Sequence, residues 1–377
     1  MNFEEYRAKP LLAKSGIAVP ESALVRDADA ARAAAEKIGR CVVKAQVPTG
    51  KRGKAGGIKL AATPEEAKFH AQAILGMEID GYRVEKLLVE AQVPISRELY
   101  AAVLNDAGSR NPMILFSMMG GMDVEEVAET DPEAMRKIPV DIRRGFDLAM
   151  ARHALEGCGL AEMEGAVAEV LVQLYQAYRG YDAELLEINP LVLTNDKRVI
   201  ALDCKLTIDD SAAPRQAELA EQAAPELMTA LEAKAQQAGL KYIALGGSVG
   251  VLANGAGLTM TSMDAITHYG GQPANFLEIG GEAYTKAKIA LSILLENQEI
   301  RSLLVNFCGA FARTDVMTEG LVSAWKELAP DIPIFFTIHG TGEEEAVKIV
   351  RAELGLEPFD LMDDAVKAAV AAAAEAA

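Results

Sequence analysis

From residue 240 to residue 357 the chain repeats one pattern: an apolar run rich in β-formers, a glycine-containing turn, then a segment of helical period. The runs lie at 242–245, 275–279, 303–307 and 334–338. Strands joined through helices run parallel and bury both faces of their sheet, so this alternation predicts an α/β unit with a parallel, doubly wound sheet. The first two-thirds read differently. Strands are expected at 41–47, 86–91, 99–104, 113–118, 183–188 and 199–202, with helices at 3–14, 28–37, 144–155 and 163–178, a mixed α+β domain. A chain of 377 residues exceeds what one core usually organises, and two domains, 1–230 and 231–377, are expected. The Ala/Glu/Gln-rich stretch 215–237 should be a surface helix joining them, and the alanine-rich stretch 366–377 a final helix.

Composition narrows the function. A net charge of −18 disfavours nucleic-acid binding, which rests on clustered Lys and Arg, so any phosphate site must be local. No uncharged apolar run approaches the roughly 20 residues that span a bilayer, so no membrane association is expected. Residues 1–6 have neither a basic start nor an apolar stretch, which predicts no secretory signal and a cytoplasmic location. Cys41, Cys158, Cys204 and Cys308 lie far apart with no C-x-x-C pair, the pattern of reduced, mostly buried thiols.

Three segments carry candidate chemistry. Lys44 ends an expected strand, and the loop 50–57 follows with Gly50, Lys51, Arg52, Gly53, Lys54, Gly56 and Gly57. Glycine lets backbone N–H groups approach phosphate oxygens while the cations offset their charge. The same residues also suit a basic hairpin tip facing solvent, and the spacing is not that of a P-loop. Next, Glu187, Asn189 and Pro190 precede a turn at 195–197 and a second strand ending at Asp203. If the strands pair, Asn189 and Asp203 point two hard oxygens at one spot, which suits magnesium; an ordinary Asn-Pro turn and a solvated strand end are the alternative. Alternation puts Glu187 on the face of Asn189. Finally, Asn254, Gly255 and Gly257 open a helix at the carboxyl end of a strand, where N–H groups and the helix dipole favour an anion, or where Asn254 simply caps the helix. The loop 306–315 could bind a carboxylate through Arg313, or be a plain βα turn. His70, His153, His268 and His339 show no metal or acid pairing in their spacing and are read as structural.

In order and spacing, the segments 3–9, 43–47, 52–57, 88–91, 187–192, 254–258 and 273–277 resemble the β subunit of succinyl-CoA synthetase and its malate–CoA ligase relatives across nearly the whole chain. The resemblance implies an ATP-grasp domain followed by a flavodoxin-like CoA-ligase domain. It implies that Lys44, Lys51, Arg52, Gly53 and Glu90 bind ATP or GTP and that Asn189 and Asp203 hold Mg2+. It further implies that Asn254, Gly255 and Gly257 receive a phosphohistidine from an α subunit, and that Ala310, Phe311 and Ala312 occupy the substrate loop. No catalytic residue is expected in this chain. The α subunit would carry the active-site histidine and the CoA site, in a heterodimer or heterotetramer, and the substrates would be a small carboxylic acid, CoA and the nucleotide.

Departures from the family pattern fall at both loops. Pro48-Thr49-Gly50-Lys51 replaces His-Ala-Gly-Gly, and Gly309-Ala310-Phe311-Ala312-Arg313 replaces Gly-Gly-Ile-Val-Arg. They leave open a carboxylate other than succinate, such as malate, or a non-catalytic subunit that binds nucleotide or CoA.

Overall fold

Antiparallel pairing organises the front of the chain. In the computed structural model, which describes residues 1–121, 134–279 and 283–376, the chain divides into two units, Met1–Leu227 and Met228–Ala377. The first unit holds a four-stranded sheet in the order Ser22–Val25, Leu87–Ala91, Cys41–Ala45, Ile58–Ala61, every pair antiparallel. Helices Ala28–Ile38 and Pro64–Ile74 cover one face, burying Ala31, Ala35, Ala67, Ala71 and Ile74 against Val43, Ala45 and Val89. Both helices start at side-chain caps, Asp27 and Thr63, with Pro64 at the first helical position, where its missing N–H costs nothing.

A larger sheet carries the rest of the unit. Its centre is the long strand Ala183–Thr194 paired with Ile95–Asp106 on one edge and with Lys205–Ile208 and Val199–Ala201 on the other. Helix Glu164–Gly180 packs on it through Val167, Leu171, Leu174 and Tyr175. The expected helix 144–155 begins only at Leu148, because Gly145 takes φ +76° and Asp147 caps the helix by accepting from the Met150 N–H. The expected single helix over 215–237 is two, Ala217–Ala220 and Ala230–Gln237. Pro225 cannot continue a helix, and Thr229 and Glu232 form a reciprocal capping box that starts the second one.

The second unit has a five-stranded sheet ordered Lys241–Ala244, Asn275–Glu278, Val249–Ala253, Ser302–Gly309, Ile334–Gly340. The last four strands are parallel, but Lys241–Ala244 pairs antiparallel with Asn275–Glu278. This corrects the expectation of a wholly parallel sheet. Helices cover both faces, and strand alternation feeds two cores: Leu303, Val305 and Phe307 pack on one side, Leu304 on the other. Two buried polar residues on the second side, Ser302 and Asn306, are both satisfied. Ser302 donates to the Ala369 carbonyl at 2.7 Å and Asn306 to Ser262 at 3.0 Å. The final helix, Met362–Glu375, buries Ala365, Val366, Ala369 and Ala373. No helix among the described residues is long and apolar enough to cross a membrane.

Candidate nucleotide and metal site

Three cations and three carboxylates meet in the first unit. Glu5 and Lys9 lie one turn apart on helix Glu5–Lys14 and share its inward face, at 2% and 3% exposure. Lys44, in the register Val42↔Glu90 and Lys44↔Leu88, is the diagonal neighbour of Glu90 on the sheet face opposite Val43 and Ala45. Lys44 Nζ donates to Glu5 Oε1 (2.9 Å), Glu90 Oε1 (2.7 Å) and the Leu202 carbonyl (2.6 Å). Lys9 Nζ reaches the same three groups, at 2.9 Å to Glu5, 2.7 Å to Leu202, and in close contact with Glu90 Oε2. An ammonium has three protons, so both lysines are fully engaged.

Arg52 joins this cluster to the glycine-rich loop. Its NH1 donates to Glu5 Oε2 at 2.7 Å and to the Ala45 carbonyl at 2.9 Å, and its NH2 lies 2.6 and 2.7 Å from the two Asp203 oxygens. A solvent-facing basic tip is therefore the wrong description of this residue, although Lys51, Gly53 and Lys54 are exposed. The loop folds back because Gly57 donates to the Arg52 carbonyl at 2.8 Å and accepts from Ala45 N–H at 2.7 Å. A Cβ there would stand 2.8 Å from Ile79 Cδ1 and 3.0 Å from Ala45 Cβ. Lys51, with φ +58°, supplies one of the loop's two left-handed turns, a role glycine was expected to fill.

Desolvation of each ion costs several kcal/mol, which mutual pairing offsets only while every partner is present. Burial opposes the charge on Glu5, but Lys44, Lys9 and Arg52 together hold its carboxyl well below the usual range. Burial likewise opposes the Lys44 ammonium, yet Glu5, Glu90 and Asp203 raise it above its ordinary value. Burial pushes the Cys204 thiol well up, which makes it a poor nucleophile.

A cleft of about 130 Å³ opens beside this cluster, lined by Glu5, Lys51, Arg52, Glu187, Asn189 and Asp203 among others. Lys44 and Glu90 lie behind it, 6% and 1% exposed. Leu191 faces Ala201 on one side and Glu187 faces Lys205 on the other, in one unbroken register that sets Asn189 opposite Asp203 where the ladder is interrupted. Asn189 Oδ1 accepts from the Gly121 N–H and Asp203 Oδ1 from the Cys204 N–H, each at 2.8 Å, which fixes both oxygens. Glu187 Oε2 accepts from the Tyr100 hydroxyl at 3.3 Å. No cluster of three His, Cys, Asp or Glu able to hold a metal occurs among the described residues. One carboxamide and one carboxylate suit magnesium, which keeps water and phosphate oxygens as its other ligands.

The second unit gathers its loops at the carboxyl ends of the parallel strands. The chain leaves Val249–Ala253 toward Asn275–Glu278 on one side and leaves Ser302–Gly309 toward Ile334–Gly340 on the other. The gap between those two departures is the topological switch point, where ligands of doubly wound sheets bind. Asn254, Gly255 and Gly257 lie on one side of it, and Ala310, Phe311 and Ala312 on the other. Asn254 does not cap the helix Ala256–His268; Gly255 holds that position with φ +86°. Instead the Asn254 carboxamide donates to the Cys308 carbonyl and accepts from the Cys308 N–H, both at 2.8 Å. Phe311 is completely exposed. Arg313, expected as a carboxylate ligand, is held by Asp315 through Nε at 3.0 Å and NH2 at 2.7 Å. Cys41 and Cys204 are buried as expected, but Cys308 is exposed.

Sequence reasoning missed Glu5 and Lys9. Their spacing fits an ordinary surface ion pair on a helix, and only the burial of neighbouring Ala8, Leu11 and Leu12 marks that face as inward.

Comparison with known proteins agrees with this two-unit arrangement. A profile of the ATP-grasp domain family matches residues 2–193, and a CoA-ligase profile matches residues 252–372. An antiparallel clamp around buried cations, followed by a doubly wound unit, is thus an ATP-grasp domain followed by a CoA-ligase domain. The chain is 42% identical over 357 residues to the GDP-forming succinate–CoA ligase subunit β of Thermus thermophilus, covering 94% of each chain. It is 41% identical over 375 residues to the ADP-forming subunit β of Rubrobacter xylanophilus, covering 98% of each. The structure of ATP citrate lyase from Methanothrix soehngenii in complex with citrate and coenzyme A matches with a TM-score of 0.74 at 25% identity, over 98% of this chain and 99% of that one. The chain belongs to the succinate–CoA ligase β-subunit family.

Proposed function

We propose that the chain is the nucleotide-binding β subunit of an acid:CoA ligase, forming an acyl-CoA and a nucleoside diphosphate from a small carboxylic acid, CoA and ATP or GTP. The observation that carries this reading is the cleft shared by Lys51, Arg52, Asn189 and Asp203, in a chain related to ligase β subunits over nearly its full length. Residues 1–230 are the nucleotide-binding domain and 231–377 the CoA-ligase domain. Lys44, Lys51, Arg52, Gly53 and Glu90 serve the nucleotide, and Asn189 and Asp203 hold Mg2+, which when bound neutralises charge on the phosphate oxygens.

Around that group the chain orients and balances charge. Arg52 and Lys51 face the cleft as cations, while Glu5 and Glu90 keep Lys44 and Lys9 in fixed positions. At the other unit Asn254, Gly255 and Gly257 present a helix start to a phosphohistidine on an α subunit, and Ala310, Phe311 and Ala312 flank the acid. The α subunit also carries the CoA site, in a heterodimer or heterotetramer. The chain supplies no catalytic residue of its own.

Combining the purified chain with its α partner, CoA, ATP or GTP and a panel of acids tests this directly. Release of nucleoside diphosphate matched by thioester formation is expected with at least one acid. Thioester formation with none, despite nucleotide binding, would favour a regulatory subunit instead.

A further inference from the structure

Arg52 is shared between two carboxylates that differ in depth: the Glu5 side chain is 1% exposed and that of Asp203 is 31%. NH1 serves Glu5 and NH2 serves both oxygens of Asp203. The guanidinium is therefore a divided cation, and what it gives to one carboxylate is withheld from the other. Glu5 makes the division possible because it also gathers Lys44 and Lys9, leaving the six-member cluster with three positive and three negative groups.

We propose that Glu5 is a positioning residue whose hold on Arg52 sets how readily Asp203 accepts a divalent cation. This rests on the assignment of Asp203 to the metal under the proposed function. With Glu5 neutral, Arg52 has one anionic partner and pairs more fully with Asp203, so an incoming metal competes with a stronger ion pair. The cluster also gains one net positive charge, which repels a dication and attracts phosphate. The two ligands of one site are thus pushed in opposite directions, a signature that general loss of structure does not produce.

The test is a titration of the full chain with Mn2+, followed by electron paramagnetic resonance at saturating ADP, beside calorimetric titration with ADP in the absence of metal. Glu5→Gln is expected to weaken Mn2+ binding by about tenfold while metal-free ADP binds as tightly as in the unsubstituted chain, or more so. Arg52→Lys supplies an independent variant, because it replaces the guanidinium's separate NH1 and NH2 groups, one on each carboxylate, with a single ammonium that gives up the two-oxygen grip on Asp203. Mn2+ binding should then tighten. Unchanged Mn2+ affinity in folded Glu5→Gln overturns the proposal, as does parallel weakening of Mn2+ and ADP. If Glu5→Gln fails to fold, weakened or unchanged Mn2+ binding in Arg52→Lys overturns it equally. Failure of the unsubstituted chain to bind ADP or Mn2+ with ADP is a different outcome, and it removes the nucleotide assignment itself.

Discussion

Asn254 and Cys308 exchange two hydrogen bonds of 2.8 Å, so one side-chain amide pins the main chain of the neighbouring loop across the switch point. Asn254→Ala deletes both bonds, at about 1 kcal/mol each. The partner-dependent acyl-CoA rate is expected to fall roughly 10- to 30-fold, with nucleotide binding unchanged in calorimetry. Loss of nucleotide binding would contradict the assignment of the nucleotide to residues of the first unit.

Removal of the Asp203 carboxylate should act on the first unit alone. Asp203→Ala takes away the charged oxygen opposite Asn189, and magnesium-dependent ATP binding is expected to weaken by more than the roughly 10- to 100-fold typical of losing an outer-shell partner. Calorimetry with and without Mg2+ provides the measurement. A variant that binds Mg2+–ATP normally would remove Asp203 from the metal assignment.

The buried charges set a pH window for stability. The Glu5 pKa is depressed in the folded chain, so its contribution is present above its ordinary value of 4.5 and is lost as pH falls through the lowered folded value. The Lys44 pKa is raised, so its contribution is present below its ordinary value of 10.5 and is lost only as pH rises past the folded value. Stability from this pair should be level between about pH 5 and 10 and fall on the acid side. Glu5→Gln should cost about 3–5 kcal/mol at neutral pH and flatten the acid limb of urea midpoints measured from pH 3 to 7. An acid limb unchanged by the substitution would assign it to other groups.

Phe311 tests the exposed loop without touching the fold. It buries nothing within the chain, so Phe311→Ala should leave the denaturation midpoint within about 0.5 kcal/mol of the unsubstituted chain. A changed order of preference among carboxylic acids, read as kcat/KM ratios, is the expected consequence. An identical order would leave the ring without a role in choosing the acid.

Much of the second unit was legible because a glycine-containing turn follows each of its four apolar runs, although the first run leads into the strand Val249–Ala253 rather than a helix. The orientation of Lys241–Ala244 was not, since an edge strand has the same composition whichever way it runs. In the first unit Asn189 and Asp203 could be paired from sequence because a short turn fixes the register between them. For Arg52 the residues alone left a phosphate loop and a solvated basic tip both open, because neither carboxylate it meets, Glu5 or Asp203, is near it in the chain, the second lying 151 residues further along. The Glu5 and Lys9 pair carries no local sign of burial beyond three apolar neighbours.

The ion cluster also imposes an order on biosynthesis. Its parts come from residues 5, 9, 44, 52, 90, 202 and 203, so the earliest carboxylate is translated long before the last carbonyl and carboxylate that complete its surroundings. At about 5–20 residues per second, Glu5 waits roughly 10–40 s for Asp203 to be synthesised. Until then the amino-terminal helix has an incomplete seat, and a ribosome-bound fragment short of Leu202 should remain a substrate for chaperones.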